Sequence, residues 1–262
     1  ELGAQLPGTS VAQIDGKLAS AAGKPRFTGS AQVQSENFRA LLAWAGADLS
    51  DIPKGRLARM RARAQLEASP QRVQALAIEA RADSTSLSGA VAVGLGARPS
   101  VEVDLQIDQL NADAYLSATA KPAPVSAILT RLAGFDSHFK LNLDALSYRG
   151  VAMSGIKASG ESAGGELTLN SFSIANVADT ALEISGTLAN ISTGPQGEVS
   201  LRLASKDVSG VARLLLAPPV GRNLGAAELQ SRWLFAGQRL DATVDGRVGE
   251  TTIKFSGQAL GV

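Results

Sequence analysis

The sequence predicts a mainly β fold of amphipathic, largely antiparallel strands, and three observations carry that expectation. Apolar and polar residues alternate with a period of two along nearly the whole chain. Gly, Pro, Ser and Asn/Asp bound each alternating run. Helical periodicity is confined to about four short places. Val101–Asp108 is the cleanest run, with Val101, Val103, Leu105 and Ile107 on one face and Glu102, Asp104, Gln106 and Asp108 on the other. A strand turns successive side chains to opposite faces, so this period means one apolar face and one wetted face.

Roughly fourteen strands are counted in this way. Val11–Leu18 and Arg26–Gln34 come first. Leu57–Leu66 turns Ala58, Met60, Ala62, Ala64 and Leu66 inward against Arg59, Arg61 and Arg63. Leu76–Ala82 turns Leu76, Ile78 and Ala80 inward, and Leu87–Leu95 does so with Leu87, Val91, Val93 and Leu95. After Val101–Ile107 come Phe139–Leu143, with Phe139, Leu141 and Leu143 inward, and Leu146–Lys157, read as one strand. In Leu167–Ile174 the inward parity slips by one residue between Leu167/Leu169 and Phe172/Ile174, as a β-bulge would require. Leu182–Leu188 contributes Leu182 and Ile184, and Val199–Leu203 contributes Val199, Leu201 and Leu203. Leu229–Phe235 adds Leu229, Trp233 and Phe235, Leu240–Val248 adds Val244, and Thr252–Ala259 adds Ile253 and Phe255.

The helical stretches are Glu36–Ala45, Asn111–Leu116, Pro124–Leu132 and Asp207–Leu216. Pro124 suits a first turn, where its missing N–H costs little. Asp207 is a good N-cap, and Pro218-Pro219 cannot continue the helix. A weak internal repeat links Ala31–Leu42, Leu105–Leu116 and Leu201–Ala212: each is a strand, a polar capping residue, an apolar anchor (Phe38, Leu110, Val208) and a short helix. Their spacing is irregular, which fits a modular sheet better than a strict solenoid.

At 262 residues the chain can bury a sizeable core. A net charge of +1 argues against a general nucleic-acid binder, and zero cysteines exclude disulfides and thiolate metal sites. No apolar run approaches the roughly 20 residues of a membrane helix. With no initiating methionine and no signal peptide, the chain reads as one β segment, 1–262, of something longer, divisible into sub-modules 1–135 and 136–262. Aromatics make up only 4% against 27 glycines, so the apolar face is lined mostly by Ala, Val, Leu and Ile, a smooth surface rather than a core keyed by rings.

The apolar face is too large for the helices to cover. Fourteen strands of about eight residues give a sheet of about 65 Å by 26 Å, whose one face is near 1,700 Å². Four ten-residue helices cover about 600 Å². Monomers rarely leave patches above a few hundred Å² in water. The sheet must curl on itself, pair with another copy or hold an apolar ligand, a dry sandwich being the competing arrangement.

Catalytic chemistry finds little footing. His138, the only histidine, has no second imidazole or cysteine for a zinc site and reads as a strand-edge residue. Gly94–Pro99 begins like a dinucleotide fingerprint but lacks the third glycine and has Pro99 where a helix should start, so it reads as a hairpin turn. Asp48/Asp51 and Asp241/Asp245 read as solvated carboxylates rather than a glycosidase pair. Arg56, Arg59, Arg61 and Arg63 read as an outward basic strip, and Trp44 and Trp233 as packing anchors. No enzyme, metal or cofactor is expected.

Several stretches resemble the AsmA family of bacterial envelope proteins. Arg98–Leu116, with its Arg98-Pro99 lead, amphipathic strand and Asp113-Ala114-Tyr115-Leu116 ending, is similar to the family's most recognisable segment. Gly29–Gly46 resembles its strand followed by a Leu-Leu-x-Trp helix, here Leu41-Leu42-Ala43-Trp44. Phe139–Gly150, the Gly164-Gly165-Glu166-Leu167 hairpin and Ile184–Leu188 resemble its β-rich C-terminal part. The resemblance implies a periplasmic protein, anchored in the inner membrane by a helix that this segment lacks. It implies an elongated, strongly curved, taco-like β-groove that shields phospholipid acyl chains between the inner and outer membranes, similar in architecture to bridge-like lipid transfer proteins. The expected partners are a phospholipid or other acyl-chain ligand, the rest of the same chain and other envelope proteins. The alternative is a non-enzymatic envelope scaffold or outer-membrane assembly factor with a closed β core.

Overall fold

A computed structural model describes residues 1–260 except 22, 117–129, 131, 192 and 216–223. Its strands are β1 Leu2–Leu6, β2 Ser10–Ala21, β3 Lys24–Ser35, β4 Met60–Ser69, β5 Arg72–Ala82, β6 Thr85–Gly94, β7 Ser100–Asn111 and β8 Asp136–Tyr148. Then come β9 Val151–Ala163, β10 Glu166–Val177, β11 Thr180–Ala189, β12 Gln196–Ser205, β13 Ala227–Ala236, β14 Arg239–Val248 and β15 Thr251–Leu260. The α-helices are α1 Phe38–Trp44 and α2 Ser209–Leu215, and a 3-10 turn spans Ala112–Ala114. Strand order equals chain order, β1 to β15, in one sheet that does not close into a barrel. Most strands follow their predecessor through a short reversal and pair with it antiparallel, whereas longer segments, 36–59, 112–135 and 206–226, lead from β3 to β4, β7 to β8 and β12 to β13.

The chain divides into two compact units, Glu1–Pro122 with Leu146–Gly150, and Ala123–Ala145 with Val151–Val262. In the first, β2 to β7 form a ladder of long hairpins. Its lower end is closed by α1 and the segment that follows: Phe38 and Arg39 donate their N–H groups to the carbonyls of Ala58 and Leu57, and the Arg39 guanidinium reaches the Leu49 carbonyl at 2.7 Å. Asn37 caps α1 by accepting from the Ala40 N–H, and Asn111 does the same for Ala114 at the 3-10 turn. In the second unit, Asp207 accepts from the Ser209 N–H at the start of α2. The capping residue of each repeat copy therefore does what its side-chain chemistry suggests.

The structure corrects the expected elements at several points. Among the described residues there are two α-helices and one 3-10 turn rather than about four helices, and Pro124–Leu132 falls almost wholly outside the described residues. β1 is an additional strand. β4 begins at Met60 because Leu57, with φ 60°, belongs to the segment bound to α1, so Ala58 is exposed rather than inward. Leu146–Lys157 is two strands, split by a turn at Arg149 (φ 54°) and Gly150 (φ 73°). Both N–H groups of that turn bind the Asp113 carboxylate. Leu95 lies beyond β6, 54% exposed, and Trp44 is 61% exposed rather than a buried anchor. The slip in β10 is where the alternation placed it, between Leu169 and Phe172.

Candidate functional site

The apolar face is built by register. In the first unit Leu87 stands opposite Ile107, Gly89 opposite Leu105, Val91 opposite Val103 and Val93 opposite Val101. Opposed residues share a face, so β6 and β7 present one continuous apolar field. β5 joins it through Ile78 opposite Gly89 and Ala80 opposite Leu87. β4 joins through Ala62 opposite Ala80 and Leu66 opposite Ala75, and Met60 and Leu66 continue it toward β3.

Leu76 departs from this face. A register shift lies between Ala75 and Ile78, and Ala77 there has φ 47°. The extra residue reverses the parity, so Leu76 stands opposite Gln65 on the polar face, while Ala75 and Val73 take the inward positions. The period-two count ran through the bulge because all three residues Ala75, Leu76 and Ala77 are apolar.

In the second unit one face carries Leu167, Leu169, Phe172 and Ile174 of β10, opposite Leu188, Gly186, Ile184 and Leu182 of β11. Leu182, Ile184 and Gly186 stand opposite Leu203, Leu201 and Val199 of β12. Leu203, Val199 and Gly197 then meet Leu229, Trp233 and Phe235 of β13. Ser231 leads to Val244, and Val244 and Gly246 to Phe255 and Ile253. The Phe139 ring lies over Gly160, where a Cβ would come within 2.9 Å of its Cζ, and Leu141 and Leu143 follow at period two.

None of these side chains is buried. Apart from Phe255, which is 57% exposed, every predicted lining residue is half-buried. The buried apolar residues among those described are Ala92, Ile191, Val208, Val211, Ala212 and Ala227, and the largest fully buried side chains are serines and threonines. A sandwich core would bury the inward rows. Leu18, Phe27, Leu188 and Leu240 also belong to the apolar face by register, Leu18 standing opposite Phe27, Leu188 opposite Leu167 and Leu240 opposite Phe235.

The other face is a lattice of exposed ion pairs. Arg232 and Glu198 form a two-point pair at 2.6 Å, Arg72 and Glu102 another at 2.7 and 2.8 Å, and Arg63 bonds Glu79 at 3.0 Å. Arg59 lies 3.8 Å from Glu36, and Arg61 stands opposite Arg81. Within the basic strip, Arg59 and Arg63 thus have carboxylate partners. Two depressions of the second unit lie on this side, about 620 Å³ over Ala181, Ala204 and Glu228, and about 740 Å³ over Ser185, Glu198 and Ser200.

Among the described residues, the carboxylates and the histidine weighed from the sequence lie apart and exposed or hydrogen-bonded to structural partners. His138 is exposed with Nδ1 4.0 Å from a Glu161 oxygen. The Asp241 carboxyl is held low by Arg239 and Gln258, and Asp48 by the Ser50 N–H. Among the described residues no cluster could hold a metal, and no helix is long and apolar enough to cross a membrane. Comparison with family models, curated proteins and solved structures finds no match to the chain.

Proposed function

We propose that this chain is a lipid-binding segment of a periplasmic, inner-membrane-anchored protein related to the AsmA family. Its apolar face lines a curved groove that shields phospholipid acyl chains between the inner and outer membranes. One observation supports the proposal: in each unit the registered apolar rows stay partly exposed, and none of their side chains is buried by the described residues. Burying a methylene is worth about 0.8 kcal/mol, so hydrocarbon from outside the chain gains much by settling there.

The mechanism is passive. Acyl chains lie on the Val, Leu and Ile rows, and headgroups remain in water at the strand ends. Neighbouring positions along such a lining offer nearly the same burial, so a one-step slide changes the energy little. The ion-paired face needs no ligand and keeps the opposite side wetted.

The test is a mass spectrum of solvent extracts from natively purified protein. Co-purifying phospholipid, reduced in Val103→Glu without loss of the fold, is the expected result. Lipid-free wild-type protein overturns the proposal.

A further inference from the structure

The two strand ends of the first unit differ. The lower end is closed over the buried Ser10 and Ser35 by α1 and its following segment. The upper end carries the reversals between β2 and β3, β4 and β5, and β6 and β7.

The last apolar row before those turns is fixed by register across six strands: Leu18, Phe27, Ala68, Val73, Val93 and Val101. Six strands at about 4.8 Å spacing make it about 24 Å long. Within this row Leu18 is 75% and Val73 42% exposed, and Leu95, in the turn beyond, is 54% exposed. Leu18 is bare because β1 stops with Leu2 opposite Ile14.

Charge follows the same asymmetry. Over 17–27, 66–74 and 92–102 there are five basic side chains (Lys17, Lys24, Arg26, Arg72 and Arg98) against two carboxylates, Glu67 and Glu102. Arg26 bonds Glu67 at 2.9 Å, and Arg72 bonds Glu102. Both acids are ion-paired, and by sequence this end carries three more basic than acidic side chains. Around the closed end, over 35–60, 80–86, 106–116 and 146–150, basic and acidic side chains are equal, six of each.

We propose that this turn-bearing end of the first unit docks on an anionic bilayer surface, its leucine and valine tips entering the headgroup layer while the surrounding cations meet lipid phosphates. Exposed apolar side chains beside a basic excess have both components that interfacial binding requires, apolar area to bury and attraction to anionic lipid. The docking needs no acyl chain on the sheet face, so it and the groove function fail separately.

Vesicle flotation tests it, with phosphatidylcholine vesicles against vesicles of phosphatidylcholine and phosphatidylglycerol. Wild-type protein is expected to float with the anionic vesicles, to be released by ~1 M salt, and to remain with the pellet on phosphatidylcholine alone. Each lysine near an anionic surface strengthens partitioning about fivefold, so the double variant Lys17→Gln with Lys24→Gln should bind roughly 25-fold more weakly. Leu18→Ser with Leu95→Ser should weaken binding as well. Val103→Glu, in the middle of the sheet, should float like wild type even where it strips co-purified lipid. Flotation that ignores lipid charge, survives salt or survives the lysine substitutions overturns the proposal, as does no flotation on either vesicle.

Discussion

The hydroxyl oxygens of Ser10 and Ser35 stand 2.7 Å apart, directly opposite one another on β2 and β3, and both residues are sealed from water. Thr180 and Ser205 repeat the arrangement on β11 and β12 at 2.8 Å. In each case a capping residue follows two positions later, Asn37 or Asp207, and a short helix after it. Two copies of the weak sequence repeat are therefore alike in structure: a hydroxyl pair, buried in the first and part-buried in the second, marks where the strand ends and a capped helix follows.

The two pairs should differ in what their loss costs. Ser10 keeps a second acceptor, the Pro7 carbonyl at 2.7 Å, when Ser35 is removed. Thr180 keeps only the Ala178 carbonyl, at 3.4 Å. An unmade buried hydrogen bond costs more than a net one. Ser35→Ala should cost about 1 kcal/mol and Ser205→Ala about 2 kcal/mol, measured by urea unfolding. The reverse order would contradict the assignment.

Asp83 ties the closed end of the first unit together. Burial pushes its carboxyl up, but the N–H groups of Leu57, Ala58 and Arg59 and the Tyr115 hydroxyl outweigh burial and hold it below its ordinary value. A carboxyl lowered by folding stabilises the protein above its unfolded value, near 3.9, and that contribution is lost as pH falls through the folded value. Asp83→Asn should therefore lose stability less steeply than wild type on acidification from about pH 5 to 3, as followed by thermal unfolding. Parallel curves would count against this role.

Gly89 sits at φ 142°, and a Cβ there would lie 2.0 Å from the Asp104 carbonyl oxygen on β7. Backbone cannot yield as a flexible side chain does. Gly89→Ala should cost about 2–3 kcal/mol and loosen the β6–β7 pairing in hydrogen exchange. An unchanged melting curve would mean the strands part more readily than this register implies.

The bulge in β5 makes a sharp prediction because Leu76 and Ile78, two residues apart, lie on opposite faces. Ile78→Glu should reduce co-purified acyl lipid several-fold, whereas Leu76→Glu, beside Gln65, should leave it unchanged. Equal effects would return Leu76 to the apolar face.

The strand architecture was legible because side-chain alternation is a local property. Val101–Ile107, the β10 slip and the caps at Asn37 and Asp207 needed only neighbouring residues. What escaped the sequence depended on distant partners. The Arg149-Gly150 turn is held by Asp113, more than thirty residues away. Leu57 is withdrawn from β4 by Arg39, and Ala77 is bulged within an unbroken apolar run. Trp44 illustrates the same limit: its apolarity suggested an anchor, but its seven-residue helix buries none of its residues.

Site-specific photo-crosslinking in cells tests the central claim most directly, with the photoreactive residue at Val103 on the apolar face and at Gln106 on the polar face. The account predicts a phospholipid adduct at 103 and none at 106. Adducts at neither position, or a protein adduct at 103 in place of lipid, would contradict it.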